Sequence, residues 1–200
     1  MHGLINRSIQ CFICDTYGAD VWADVVCAAG LGFDQFEAML EYDDTLTHAV
    51  LDAAAQRLLR PREMLMEDLG TYLVTNPKQP APRRLLRFCG VTFVEFLHSL
   101  DDLHDRARLA VPDLELPQLE LVGYRATGDF TLYCRWRHPG FGHVMIGILR
   151  AMADDYGALA YLEHRGAEGC CERIAIRLLE DDFSEGREFN LAQGLAHAMR

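Results

Sequence analysis

Lysine is nearly missing from this chain: Lys78 is the only one among 200 residues, so arginine carries almost all of the positive charge. We read that as a habit of composition rather than a functional device. Positive charge is itself short, with 19 basic against 30 acidic residues and a formal net charge of -11. A general nucleic-acid binder or a protein that lies on an anionic membrane needs a basic patch, so the balance speaks against both and for solubility or a basic partner face. No apolar run approaches the roughly 20 residues of a membrane span. The opening MHGLINRSIQ carries polar residues where an export signal needs its apolar core, so the expected location is the cytoplasm. Seven cysteines, an odd number without an export signal, make reduced thiols the default and a disulfide framework unexpected. A nucleotide-binding loop, a Ser/His/Asp pattern, internal repeats and low-complexity tracts are also lacking, so no enzyme is expected and no catalytic residue is assigned.

What is present is an ordinary globular composition, 50% hydrophobic and 24% charged, long enough for a sizeable core. Apolar residues recur at helical spacing from Leu4 to about Ala29, with a break near Tyr17-Gly18 and a stop at Gly30 and Gly32. A second amphipathic stretch runs from about Thr45 to Leu59, and Pro61 opens a third, from Arg62 to about Val74. Three prolines between Asn76 and Pro82 predict a loop. After Pro117 the period changes to alternation. Gln118 to Tyr124 and Phe130 to Trp136 read as a β-hairpin, His143 to about Tyr156 as a helix, and Ala158 to His164 and Cys171 to Leu179 as two further strands. A polar tail follows from Asp181, with a short amphipathic turn from Leu191 to Met199. Helices first, then a sheet crossed by a helix, is an α+β order.

The stretch from Gly90 to Pro117 holds the most informative histidine. At 3.6 residues per turn, Phe93, Phe96, Leu97, Leu100, Leu103, Ala107 and Val111 share one stripe, and His104 falls inside it. A neutral imidazole on an apolar face either satisfies its nitrogens within the protein or binds something, a metal being one candidate. Read alone, the spacing favours a core or capping histidine. A second pattern lies at Tyr133-Cys134-Arg135-Trp136-Arg137. Strand alternation puts Tyr133, Arg135 and Arg137 on one side, a phenol and two guanidiniums able to hold a dianion, or else surface arginines balancing an acidic chain.

Taken together and in order, these motifs resemble the heme-nitric oxide/oxygen binding (H-NOX) domain of soluble guanylate cyclase and of stand-alone bacterial regulators. The resemblance runs from Met1 to roughly Leu179. It rests on Met1-His2-Gly3, on Tyr17-Gly18 with Val21-Trp22, on the run from Phe96-Leu97 through Leu100-Asp101 to Leu103-His104, on Pro112 and Pro117, on Tyr133 and Arg137, and on the helix from Val144 to Leu149. It implies an α+β fold with an N-terminal helical lobe, an antiparallel sheet crossed by helices, and heme b between the lobes. One domain over 1-180 is expected, with a helical lobe over about 1-60, a helix-plus-sheet lobe over about 61-180, and a tail over 181-200.

Under the resemblance His104 is the axial iron ligand, with Leu100 and Ala107 beside the ring and Pro117 pressing on the heme. Tyr133 and Arg137 hold the propionates. The family's central serine is Arg135 here, and alternation favours a role for it as a second cation on the ligand side. Leu4, Ile5, Ile9 and Val144 match the distal wall and offer no hydrogen-bond donor, which implies binding of NO and CO with O2 excluded; a one-residue slip in the loop before the helix would instead bring His143 near the gas. The implied signal is release of His104, read by a separate histidine kinase or cyclic-dinucleotide enzyme. The rival reading is a thiol- or zinc-based redox sensor or protein-interaction module built on Cys134, Cys170 and Cys171 with His164. Cys11 and Cys14 form a lone C-x-x-C read as core packing.

Overall fold

The computed structural model describes residues 1-78, 80-87, 90-124 and 126-187. The amphipathic turn expected over Leu191 to Met199, and most of the expected tail with it, lies outside the described residues.

Four helices open the chain. In α1, Gly3–Tyr17, the His2 imidazole accepts from the Leu4 amide and so caps the first turn, while Ile9, Phe12 and Ile13 are buried. Gly18, at φ 100°, breaks the chain where the Tyr17-Gly18 signal predicts, and α2 follows over Ala19–Ala29. Helix α3, Asp44–Leu58, starts on an Asp43 side chain that accepts from the Thr45 amide. Helix α4 spans Arg62–Thr75, with Pro61 at its N-cap.

The proline-rich segment corrects the expected loop. Pro80 begins α5, Pro80–Arg87. A helix's first-turn amides have no intrahelical partner, so prolines there sacrifice nothing.

The helix expected across Gly90 to Val111 is also interrupted. Helix α6, Phe93–His98, opens with a capping box between Thr92 and Glu95. A 3-10 turn over Ser99–Asp102 follows, and α7 resumes over Leu103–Ala110. Ser99 closes the break twice, its hydroxyl donating to the Phe96 carbonyl and its own carbonyl accepting from Arg106.

The sheet is four-stranded and antiparallel, in the order β1-β2-β4-β3. The strands are β1 Gln118–Tyr124, β2 Asp129–Arg135, β3 Leu159–Glu168 and β4 Cys171–Glu180. Its inner face buries Phe130, Leu132, Cys134, Ile174 and Ile176. Helix α8, Phe141–Tyr156, crosses between β2 and β3 and packs against the sheet on one side and α4 on the other. The α4–α8 crossing depends on two glycines: a Cβ at Gly70 would sit 2.0 Å from the Val144 oxygen, and one at Gly147 1.9 Å from the Glu67 oxygen. Among the described residues no helix is long and apolar enough to cross a membrane.

Candidate functional site

The expected ligand stripe is buried where periodicity puts it, with Phe93, Phe96, Leu97 and Leu100 at 0% exposure and Leu103 and Ala107 close behind. His104 departs from that stripe. It is half-buried, beside the 3-10 turn, and turns toward an open cleft. Its Nδ1 lies 2.7 Å from the Leu116 carbonyl oxygen. A carbonyl only accepts, so Nδ1 carries the proton of the neutral ring and Nε2 keeps its lone pair. That nitrogen has no hydrogen-bond partner among the described residues.

The cleft has a volume of about 780 Å³. One wall is His104 and Arg108 of α7 with residues 112-116; the other is Gln118, the end of β2 at Arg135 and the following Trp136 and Arg137, with Cys170 and Glu41 at its margins. Both expected arginines therefore share a cavity with His104. Arg135 pairs with Glu120 at 2.5 Å, and Arg137 reaches Glu115 at 3.2 Å. Behind it, the Arg137 Nε donates to Nε2 of buried His138 at 2.9 Å.

Tyr133 is placed differently from the expectation. Phe130, Leu132 and Cys134 occupy the inner face of β2, so Tyr133 lies on the outer face, beneath the Arg135 guanidinium at 5.7 Å, and is not in the cleft lining. Alternation carried past the strand end gives the inward set instead, Cys134, Trp136 and His138, with the Trp136 and His138 rings edge to face at 4.7 Å. Sequence reasoning missed Trp136, His138 and Glu115, and the alternation was the signal for the first two.

The remaining expected residues lie away from the cleft lining. Leu100 is fully buried in the 3-10 turn, and Pro117 is buried beside Leu116. Leu4 and Ile5 are half-buried on α1, Ile9 belongs to the core shared by α1, α3 and α4, and Val144 is closed over by α4. His143 stacks on His164 at 4.3 Å between centroids and approaches Glu67 at 3.4 Å. His164 in turn bonds the buried Glu172, whose carboxylate accepts from the Gly140 and Gly142 amides at the start of α8.

The expected zinc site finds no support. Among the described residues no group of three or more His, Cys, Asp or Glu side chains is placed to hold a metal ion. Cys134 points to the inner face while Cys170 is exposed in the β3–β4 turn, which separates them. Burial, and then the neighbouring Glu172 charge, push the Cys134 thiol far up from its ordinary value, which leaves little reactive thiolate. Cys11 and Cys14 are both half-buried on α1.

The described geometry has counterparts among known proteins. The family model described as Haem-NO-binding matches residues 2–164. The sequence is 30% identical over 155 residues to "Soluble guanylate cyclase gcy-31" of Caenorhabditis elegans, covering 78% of this chain and 22% of that protein. It is 24% identical over 159 residues to "Soluble guanylate cyclase 89Da" of Drosophila melanogaster, covering 80% and 24%. The chain thus spans about a quarter of the length of these curated relatives. Among solved structures, the unliganded Fe(II) H-NOX protein of K. algicida is similar with a TM-score of 0.74 at 15% identity, covering 95% of this chain and 100% of that one. The H-NOX protein of S. oneidensis in the Fe(II)NO state gives 0.71 at 16% identity, covering 90% and 100%. At that identity the structural likeness speaks for the fold.

Proposed function

The chain belongs to the haem-NO-binding family, and from that premise we propose that it is a heme-based gas sensor rather than an enzyme, with His104 as the iron ligand. The observation that carries this reading is the imidazole itself: Nδ1 is fixed on the Leu116 carbonyl, Nε2 has no partner among the described residues, and the ring stands on the wall of a cleft shared with Arg135 and Arg137. Ligating histidines characteristically donate their second ring nitrogen to a carbonyl or carboxylate in this way. The volume of about 780 Å³ and the two guanidiniums also suit a flat, dianionic cofactor such as heme b. Heme held by His104, Arg135 and Arg137 would supply an iron able to bind small diatomic gases.

NO and CO are the gases we assign, with O2 excluded. Under the family resemblance Leu4, Ile5, Ile9 and Val144 form the distal wall and none carries a donor, although none of them lines the cleft that holds His104; the candidate donor His143 is engaged by His164 and Glu67. Release of His104 is the signal. Once released, α7 would be held by the Leu116 carbonyl, the 3-10 turn and the packing of Leu103 and Ala107 alone, and its position would shift. A separate cytoplasmic partner, a histidine kinase or cyclic-dinucleotide enzyme, reads that shift. Residues 1-180 act as one domain in this reading, with heme between a helical lobe over about 1-60 and the lobe over about 61-180.

Absorption spectra of the reduced protein test it. We expect a heme Soret band that NO moves to the position of a complex without a histidine ligand, that CO also moves, and that is the same in air as under argon. A colourless protein overturns the heme assignment, and a reduced spectrum that changes reversibly in air overturns the gas selectivity.

A further inference from the structure

Two of the three arginines that line the cleft, Arg135 and Arg137, are already held by carboxylates of this chain. Arg135 meets Glu120 across the β1–β2 pair, where Glu120 is the register partner of Tyr133, two residues from Arg135. Arg137 meets Glu115, in the loop between α7 and β1. The two acids thus come from one short stretch of chain and the two bases from another; Glu115, Arg135 and Arg137 line the cleft, and Glu120 stands beside Arg135 on the neighbouring strand. All four side chains are substantially exposed, 45% and 52% for the first pair and 58% and 66% for the second, so water and solutes reach them. The rest of the lining adds no surplus of positive charge, because Arg108 is outnumbered there by Glu41 and Asp113.

We propose that Glu115 and Glu120 are internal competitors for the cofactor's carboxylates: they occupy Arg137 and Arg135 in the heme-free protein, and heme uptake exchanges two intramolecular ion pairs for two to the propionates. This inference rests on the heme reading above and deepens it. The Arg137 guanidinium is built for such an exchange. Its Nε is anchored from behind by His138, so the terminal nitrogen that meets Glu115 can change partner while the side chain stays in place. Glu115 also immediately precedes Leu116, whose carbonyl holds the His104 ring. Drawing Arg137 away from Glu115 loosens the loop beside that tie, which links cofactor occupancy to the orientation of the iron ligand. Heme is therefore held less tightly than two free arginines would hold it, and its retention depends on the two glutamates.

The test is heme transfer from the full chain to excess apomyoglobin, followed by the Soret band, for the wild type, E115Q, E120Q and the double variant. Exposed ion pairs are worth little, so each single substitution should slow heme loss about two- to fivefold and the double variant by roughly the product. Repeating the measurement with iron protoporphyrin dimethyl ester, which has no free propionates, should abolish the difference between variants. Unchanged or faster loss from E115Q and E120Q overturns the proposal while leaving the heme reading intact. An equal gain with the dimethyl ester overturns it as well, because the benefit would then not pass through the propionates. Absence of a Soret band in the wild type overturns the heme reading and this inference together, whatever the variants bind.

Discussion

The Nδ1 atom of His104 and the carbonyl oxygen of Leu116 lie 2.7 Å apart, joining α7 to the loop that precedes β1. The contact sets which nitrogen can bind a metal, and it is made by the backbone, so no side-chain substitution at 116 removes the acceptor. His104→Gly deletes the proposed ligand and leaves a hole of imidazole size. The variant should lose heme on purification and recover it when imidazole is added. A normal five-coordinate ferrous spectrum in His104→Gly without imidazole would sink the assignment.

Much of the fold is legible in the sequence, and the exceptions have physical causes. The α1–α2 break, the β1–β2 hairpin and α8 follow from period and glycine placement. Helix α5 was hidden because Pro80 and Pro82 look like breakers anywhere except the first turn. The phase of His104 was hidden because a 3-10 turn advances faster than an α-helix; over the four residues Ser99–Asp102 that accumulates to about 80°. Leu100 still reaches the core, and His104 is rotated out of the stripe to the cleft. At β2 the alternation correctly pairs Tyr133 with Arg135, but alternation does not say which face is inward. Only the burial of Phe130, Leu132 and Cys134 decides that.

The α4–α8 crossing makes a second prediction. At both Gly70 and Gly147 the atom that an added Cβ meets first is a backbone oxygen, 2.0 and 1.9 Å away, which a rotamer change cannot relieve. Gly70→Ala and Gly147→Ala should each destabilise the fold by about 2–3 kcal/mol, read from urea unfolding midpoints. Gly166→Ala is the comparison, since nothing lies within 4 Å of a Cβ there and its cost is limited to the backbone strain of φ 87°. A stability loss at Gly70 or Gly147 no larger than at Gly166 would mean that the helices part easily.

A third concerns the edge of the sheet. Strand β1 is an outer strand, and its Leu121 amide is taken by the Asp101 carboxylate at 2.8 Å, from within the 3-10 turn. This ties the segment just before His104 to the sheet. Asp101→Ala removes the acceptor and should cost about 0.5–1 kcal/mol, with faster hydrogen exchange at the Leu121 amide and in α7. Unchanged exchange in α7 would show that Ser99 and Arg106 hold the turn without it.

The last prediction is a pH dependence centred on His138. Its ring is buried behind Arg137, and burial is the main cause that lowers its pKa from the ordinary 6.5; Arg137 and His48 add to the lowering, and Asp44 at 3.7 Å opposes it. The Arg137 Nε donates to His138 Nε2, so the folded state requires a neutral imidazole with its proton on Nδ1. In the unfolded chain the same histidine takes up a proton near the ordinary value. Between the two values the unfolded state binds more protons, so stability rises with pH in that window. The contribution is complete above about 6.5 and is lost as pH falls through that value toward the lower folded one. The slope from this residue is bounded at about 1.4 kcal/mol per pH unit. Glutamine offers an amide oxygen to Arg137 at every pH, so H138Q should unfold in urea with a shallower dependence between pH 7 and 5 than the wild type. The difference between the two slopes reads His138 together with its neighbour His48, whose ring lies 6.1 Å away. Parallel slopes would show that the ring accepts its proton without leaving Arg137.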